Sequence, residues 1–192
     1  MQNFTDENNK IENNLVLPVL AVRGLVFFPG MMLQFDISRK KSVLAASESI
    51  VNDRLIFLVS QVHMEDGEPV GDDLYRVGVI ARIKQVVHHS EEGAKLHVEG
   101  LCRGEITSFV QEEPYLLGNI VKCPMLTYKK SYKSEALIRI IHERFDEYLR
   151  LFKHVPPDVL LGVLQEKDCG RLADYIASNI SIDFERKQYI LD

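Results

Sequence analysis

The sequence predicts an α+β chain, with strands up to about residue 124 and helices from there to the end. Three observations carry that expectation. Apolar residues run continuously or alternate with period two through the first part. After Pro124 the period becomes helical. Hydrophobic residues make up 46% of the chain and charged residues 27%, a balance that can bury a sizeable core.

Taken in order, the first fourteen residues, MQNFTDENNKIENN, are polar and mildly acidic and are expected to form a disordered leader. They lack the basic and apolar regions of a signal peptide. LVLPVLAV (15–22) is a near-continuous apolar run, which suits a strand buried on both faces. FPG (28–30) is a turn, and MMLQFDI (31–37) a second strand. Across 39–53 the period changes: Val43, Ala46, Ile50 and Val51 recur at helical spacing. LIFLVSQ (55–61) returns to strand, and the acidic, Gly- and Pro-bearing stretch 63–73 is a surface loop.

YRVGVIARIKQVVHH (75–89) alternates, with Val77, Val79, Ala81, Ile83 and Gln85 on one face. SEEG (90–93) closes a hairpin onto 94–101, which sets His97 opposite Val86 and His88 opposite Lys95. EITSFVQE (105–112) and YLLGNIVKC (115–123) are two more strands. Six or seven strands around one helix suggest a small closed or nearly closed barrel. Beyond it, 134–154 places Leu137, Ile141, Phe145, Tyr148 and Phe152 on one stripe. Pro156-Pro157 starts a further helix, and Asp168 and Asp183 can cap two more.

The net charge of −5 and a pI of about 5.7 argue against a phosphate-backbone binder. No apolar run is long enough to span a bilayer. Three widely spaced cysteines, Cys102, Cys123 and Cys169, form neither a zinc-ribbon nor a disulfide pattern, which fits free thiols in a reducing cytoplasm. No G-K-[ST] occurs, so no phosphate-cradling loop for a nucleotide is encoded. His142-Glu143 opens a zincin-like pattern, but Asp146 stands where the second histidine would be needed. His88, His89 and His97 share a hairpin with Lys95, which disfavours a cation. Ser47, Ser60 and Ser108 read as ordinary serines. No catalytic residue, metal site, nucleotide site or cofactor is therefore expected.

Several segments, in order, resemble the N-terminal domain of ATP-dependent Lon proteases. LPVLAVRGLVFFPGMM (17–32) is similar to that family's opening L-P-L-L-P-L-R-x-x-V-x-F-P-G-M, and DLYRVGVIARIKQV (73–86) to its D-L-Y-x-V-G-x-x-A-x-I. SRKKSVLAASESIVNDRLIFLVSQ (38–61) is similar to its next segment. HVEGLCRGEI (97–106) resembles V-x-V-x-G-x-x-R-x-x-I, and RLADYIASNISIDFERKQYILD (171–192) resembles L-A-D-x-I-A-x-x-L…K-Q-x-L-L-E. Ala21, Gly24, Leu33 and Gln34 depart from the pattern.

The resemblance implies a PUA-like pseudo-barrel over 15–124 followed by a helical bundle over 125–192. It implies a non-enzymatic cytoplasmic module that binds unfolded or damaged proteins and neighbouring Lon subunits. The ATPase and Ser-Lys peptidase of the full-length parent would follow it. Three rival readings are a free-standing adaptor of the same family, from fold analogy alone a PUA-like nucleic-acid-binding module, and a stand-alone enzyme or small-ligand binder, which the empty motif search opposes. The acidic charge opposes the second, so neither nucleic acid nor membrane is expected as a partner.

Two surfaces are candidates for binding. Phe27, Phe28, Met31 and Met32 cluster at a turn. Either alternate residues anchor the barrel, or some stay accessible as adaptable apolar contacts for poorly defined partners. These four are the candidate protein-binding residues. The stripe of helix 134–154, with Leu160 and Leu164, is either bundle core or a contact between subunits.

Overall fold

A computed structural model describes residues 13–63, 67–90, 93–123, 131–152 and 155–192. The expected leader therefore lies outside the described residues up to position 12, and Asn13 and Asn14 already pair with the last strand. Among the described residues six strands form one sheet: β1 (Asn14–Val22), β2 (Met32–Ile37), β3 (Leu55–Ser60), β4 (Val77–Ser90), β5 (Gly93–Gln111) and β6 (Leu117–Lys122). The described residues also form five α-helices: α1 (Lys40–Val51), α2 (Tyr132–Leu151), α3 (Pro157–Gln165), α4 (Cys169–Asn179) and α5 (Phe184–Leu191).

The strand order is β2-β5-β4-β3-β1-β6, and β5 also pairs with β6. Pairing through β1, β3, β4, β5 and β6 thus runs in a closed circuit, with β2 added to the first half of β5. β5 makes both pairings because it is long: 94–99 meets β2, and 104–111 meets β6. The sequence suggests two separate strands there; the chain instead continues through Leu101–Gly104 as one strand of 19 residues.

The near-continuous apolar runs reflect burial on both faces. Leu20 and Val22 of β1, with Ile56 and Leu58 of β3, enter one core; Leu17, Val19, Phe57 and Val59 enter a second. Successive side chains on a strand point to opposite faces, so a strand between two cores cannot alternate in polarity. The first core also takes Val43 and Ala46 of α1, Ala177 of α4 and Leu191 of α5. The helical part thereby shares a core with the strands. A third cluster, Phe145, Val159, Val163 and Leu172, holds α2, α3 and α4 together.

Four local expectations are corrected. β-bulges at Ile83/Gln85 and Val86/His88 set His97 opposite Gln85, not Val86, although His88 does face Lys95. Val51 ends α1 at 84% exposure; the buried face is Ser42, Val43, Ala45, Ala46 and Ser49. On α2 only Phe145 of the expected stripe is fully buried, while Leu137 and Phe152 remain exposed. The caps behave as read at Asp168, whose side chain accepts from the Arg171 amide at 3.0 Å, but not at Asp183.

Candidate protein-binding cleft

The turn Phe27–Met32 folds back onto β5. Gly30 adopts φ +79°, which lets its amide reach the Gly100 carbonyl at 2.9 Å, while the Gly100 amide donates to the Met31 carbonyl at 2.9 Å. A Cβ at Gly100 would lie 2.5 Å from the Phe28 carbonyl oxygen, so only glycine admits this close approach. The fold-back buries both aromatic rings: Phe28 is 0% exposed and Phe27 2%. Both belong to the core shared by the strands, α4 and α5.

The four candidate residues therefore separate. Phe27 and Phe28 are core residues, and a partner cannot reach them without unfolding the turn. Met31 is half-buried, its sulfur accepting from the Phe28 amide at 3.2 Å. Met32, the first residue of β2, is 61% exposed. One side chain of the four is freely accessible, and a second partly so.

Met31 and Met32 line one wall of a cleft of about 540 Å³. Leu101 of β5, itself exposed, continues that wall. The opposite wall is α4, which presents Arg171, Tyr175, Ser178 and Asn179. These four recur at helical spacing beside the buried Leu172 and Ala177, so they form a flank of the same amphipathic helix. That polar stripe was visible in the sequence, but nothing there said that it would face the Phe27–Met32 turn.

An ion pair fixes the two walls. Arg103 donates to both oxygens of Asp174, at 2.7 Å from Nη1 and 2.5 Å from Nη2, and its Nε donates to the Leu191 carbonyl at 2.9 Å. Asp174 is 2% exposed. Gln188 of α5 adds a hydrogen bond to the Val77 carbonyl at 3.1 Å. One bidentate contact thus joins β5 to α4 and α5, the geometry at which a planar guanidinium is strongest.

The charges in the cleft are paired. Glu99 accepts from Lys84 at 2.9 Å, and this bond, with the lysine charge, holds its carboxyl below the ordinary range. Glu166 accepts from the Lys167 and Asp168 amides just before α4, and lies 3.4 Å from Arg171. What stays unsatisfied is apolar: the ends of Met32 and Leu101. Such a rim can pack against apolar segments of varied shape.

Elsewhere the sequence-level readings meet plain structural roles. The Ser60 hydroxyl donates to the Leu25 carbonyl at 2.9 Å, and the His142 ring contacts the Val163 carbonyl at 3.0 Å. Among the described residues no group of three or more His, Cys, Asp or Glu could hold a metal ion, and no helix is long and apolar enough to cross a membrane.

Comparison with known proteins agrees with this geometry. The family model for the ATP-dependent protease La (LON) substrate-binding domain matches residues 16–192. The Lon protease of Desulforamulus reducens is 35% identical over 176 residues, covering 92% of this chain and 22% of that protein. That of Heliobacterium modesticaldum is 36% identical over 187 residues, covering 97% and 23%. The chain thus spans under a quarter of the length of these relatives. The N-terminal domain of Mycobacterium avium complex Lon protease superposes with a TM-score of 0.68 at 18% identity, covering 93% of this chain and 90% of that one. A Lon N-terminal domain protein from Xanthomonas campestris gives 0.64 at 11% identity, with the same coverage. A family match over nearly the whole chain, relatives above 30% identity and a shared α+β fold agree: the chain belongs to the Lon substrate-binding domain family.

Proposed function

We propose that the chain recognises protein substrates for an ATP-dependent Lon-type protease in cytoplasmic quality control. In this reading it contributes no chemistry of its own and holds exposed apolar segments of unfolded or damaged proteins. The observation that carries the reading is the cleft between the Phe27–Met32 turn and α4, rimmed by Met32 and Leu101. Its volume, about 540 Å³, falls within the range of ~300–1,000 Å³ typical of binding clefts. Met31, Met32, Leu101 and Tyr175 are the contact residues, with Phe27 and Phe28 supporting the turn from beneath.

The closed circuit of strand pairing supports a PUA-like pseudo-barrel over 15–124, and the third apolar cluster a helical bundle over 125–192. Neighbouring subunits of a full-length oligomer would meet outside the cleft, and the exposed Leu137, Ile140 and Leu161 suit that role. Nucleic acid is not a partner in this reading, given a net charge of −5.

One shallow cleft on one copy holds a segment weakly, with Kd of ~10–100 μM. The test is Met32→Ser, assayed by fluorescence anisotropy with a labelled, permanently unfolded protein and by thermal melting. Because Met32 is exposed, the melting temperature should hold while the affinity falls severalfold. Unchanged affinity in a folded variant would remove the cleft from substrate recognition.

A further inference from the structure

Glycine is disfavoured inside a helix, where it gives up more backbone freedom than alanine and packs nothing in return. Gly162 nevertheless stands inside α3, a helix of nine residues. The reason is a ring from the next helix. A Cβ at Gly162 would lie within 2.5 Å of Cζ, Oη and Cε1 of Tyr175, so no side chain fits there. One turn earlier on α3, the Asp158 carbonyl accepts from the Tyr175 hydroxyl at 3.3 Å. The tip of the tyrosine therefore rests on the bare backbone of α3.

Tyr175 also lines the cleft between α4 and the Phe27–Met32 turn, whereas α3 lines none of it. The other side chains that α4 gives to that wall are held locally. Arg171 lies 3.4 Å from Glu166, and the Ser178 hydroxyl and Asn179 amide each donate to the Tyr175 carbonyl at 2.8 Å. Tyr175 reaches across to a second helix for its anchor. Among the residues lining the cleft it is the one aromatic, and Met31, Met32 and Leu101 form the apolar side opposite.

The place of that ring thus decides how much room lies between the walls. On one side it is stopped by α3, and the cleft is its open side. A side chain at position 162 would push the ring off α3 and into the space that a bound segment needs. Thioethers and an aromatic face suit a bulky side chain, provided that the gap between them admits it.

We propose that Gly162 is a positioning residue for segment recognition: by seating Tyr175 against α3 it keeps the cleft wide, so that apolar segments are selected by the girth of their side chains. The proposal rests on the cleft being the place where protein segments bind. It adds a selectivity set by a helix that does not touch the segment.

The test uses the 192-residue chain and two labelled Ser/Gln-rich peptides, one with two adjacent phenylalanines and one with valines in their place. Binding is followed by fluorescence anisotropy, and melting shows that each variant is folded. The unaltered chain should prefer the phenylalanine peptide. Gly162→Ala should weaken that peptide about fivefold and the valine peptide by less than about twofold. Tyr175→Ser, which removes the ring, should abolish the preference, and in that background Gly162→Ala should change neither affinity. A purely structural role for Gly162 would not give this pattern, because a loosened α3 would lower both affinities alike in either background. Equal losses for the two peptides in Gly162→Ala would overturn the proposal. So would a phenylalanine preference that survives in Tyr175→Ser, even if Gly162→Ala does not fold. Met32→Ser separates this failure from that of the cleft. Weaker binding in Met32→Ser beside equal losses in Gly162→Ala strikes the positioning role alone. If Met32→Ser binds both peptides as the unaltered chain does, or the unaltered chain binds neither, the cleft falls and the proposal with it.

Discussion

Removing Arg103 tests whether the strands and the helical part are held together as the geometry implies. In Arg103→Met the Asp174 carboxylate, 2% exposed, loses two charge-assisted hydrogen bonds, and the Leu191 carbonyl loses its donor. Stripping one partner from a buried pair costs ~3–5 kcal/mol. Arg103 keeps 21% of its side chain exposed, so water relieves part of that cost and the lower end applies. For a chain of this size about 3 kcal/mol corresponds to a fall of ~6–12 °C in melting temperature. Calorimetry on Arg103→Met, Asp174→Leu and the double variant measures the coupling directly. The double variant carries no orphaned charge, so it should recover much of the loss, with a coupling energy of ~2 kcal/mol or more. Singles that each cost under ~1 kcal/mol, or effects that merely add, would show that the contact is peripheral and that the shared core alone joins the parts.

Two other outcomes follow from burial. Phe28→Ser should cost ~3–5 kcal/mol, since the ring is fully enclosed, yet leave capture per folded molecule unchanged; melting and binding on the same sample check this, and a stable variant with lost capture would contradict it. Burial pushes the Cys102 thiol up, and burial with Glu105 does the same at Cys123. Both should alkylate more slowly at neutral pH than free thiols. A raised folded-state pKa means that the unfolded chain releases these protons first, so their contribution to stability is complete below pH ~8.5 and fades above it. Labelling rates and melts across pH ~7–10 test both, and rates equal to those of a free thiol would refute the first.

Much of the fold was legible because its apolar periods are strong: β1, β3, α1 and the α4 cap follow from local chemistry. The misreadings fall where tertiary contact overrides a local signal. Gly100 and Gly104 look like breaks between two strands of β5. They are glycine because Phe27 and Phe28 crowd one and Phe57 and Ile120 the other. The Phe27–Met32 turn was legible as unusual, but not which residues would be hidden. That depends on Gly100, 70 positions away, drawing the turn inward. The α4 stripe of Arg171, Tyr175 and Asn179 could be seen in the sequence, but its role needs the Arg103–Asp174 contact across 71 positions.

That contact also links the family resemblance to the proposed function. Arg103 lies in the segment HVEGLCRGEI and Asp174 in RLADYIASNI, two stretches that resemble the Lon pattern separately. In the fold they meet as one bidentate pair, and on one side of that pair lies the cleft. In the proposed function the motif residues would act by setting the distance between the turn and α4. A recognition surface for poorly defined segments has two opposing needs. Its walls must be fixed, since ordering them on binding would weaken an already weak interaction. Its contact atoms must adapt, since no two segments present the same shape. The buried pair and the shared Phe27–Phe28 core meet the first need. In the proposed function Met32, unbranched and exposed at the start of β2, would meet the second.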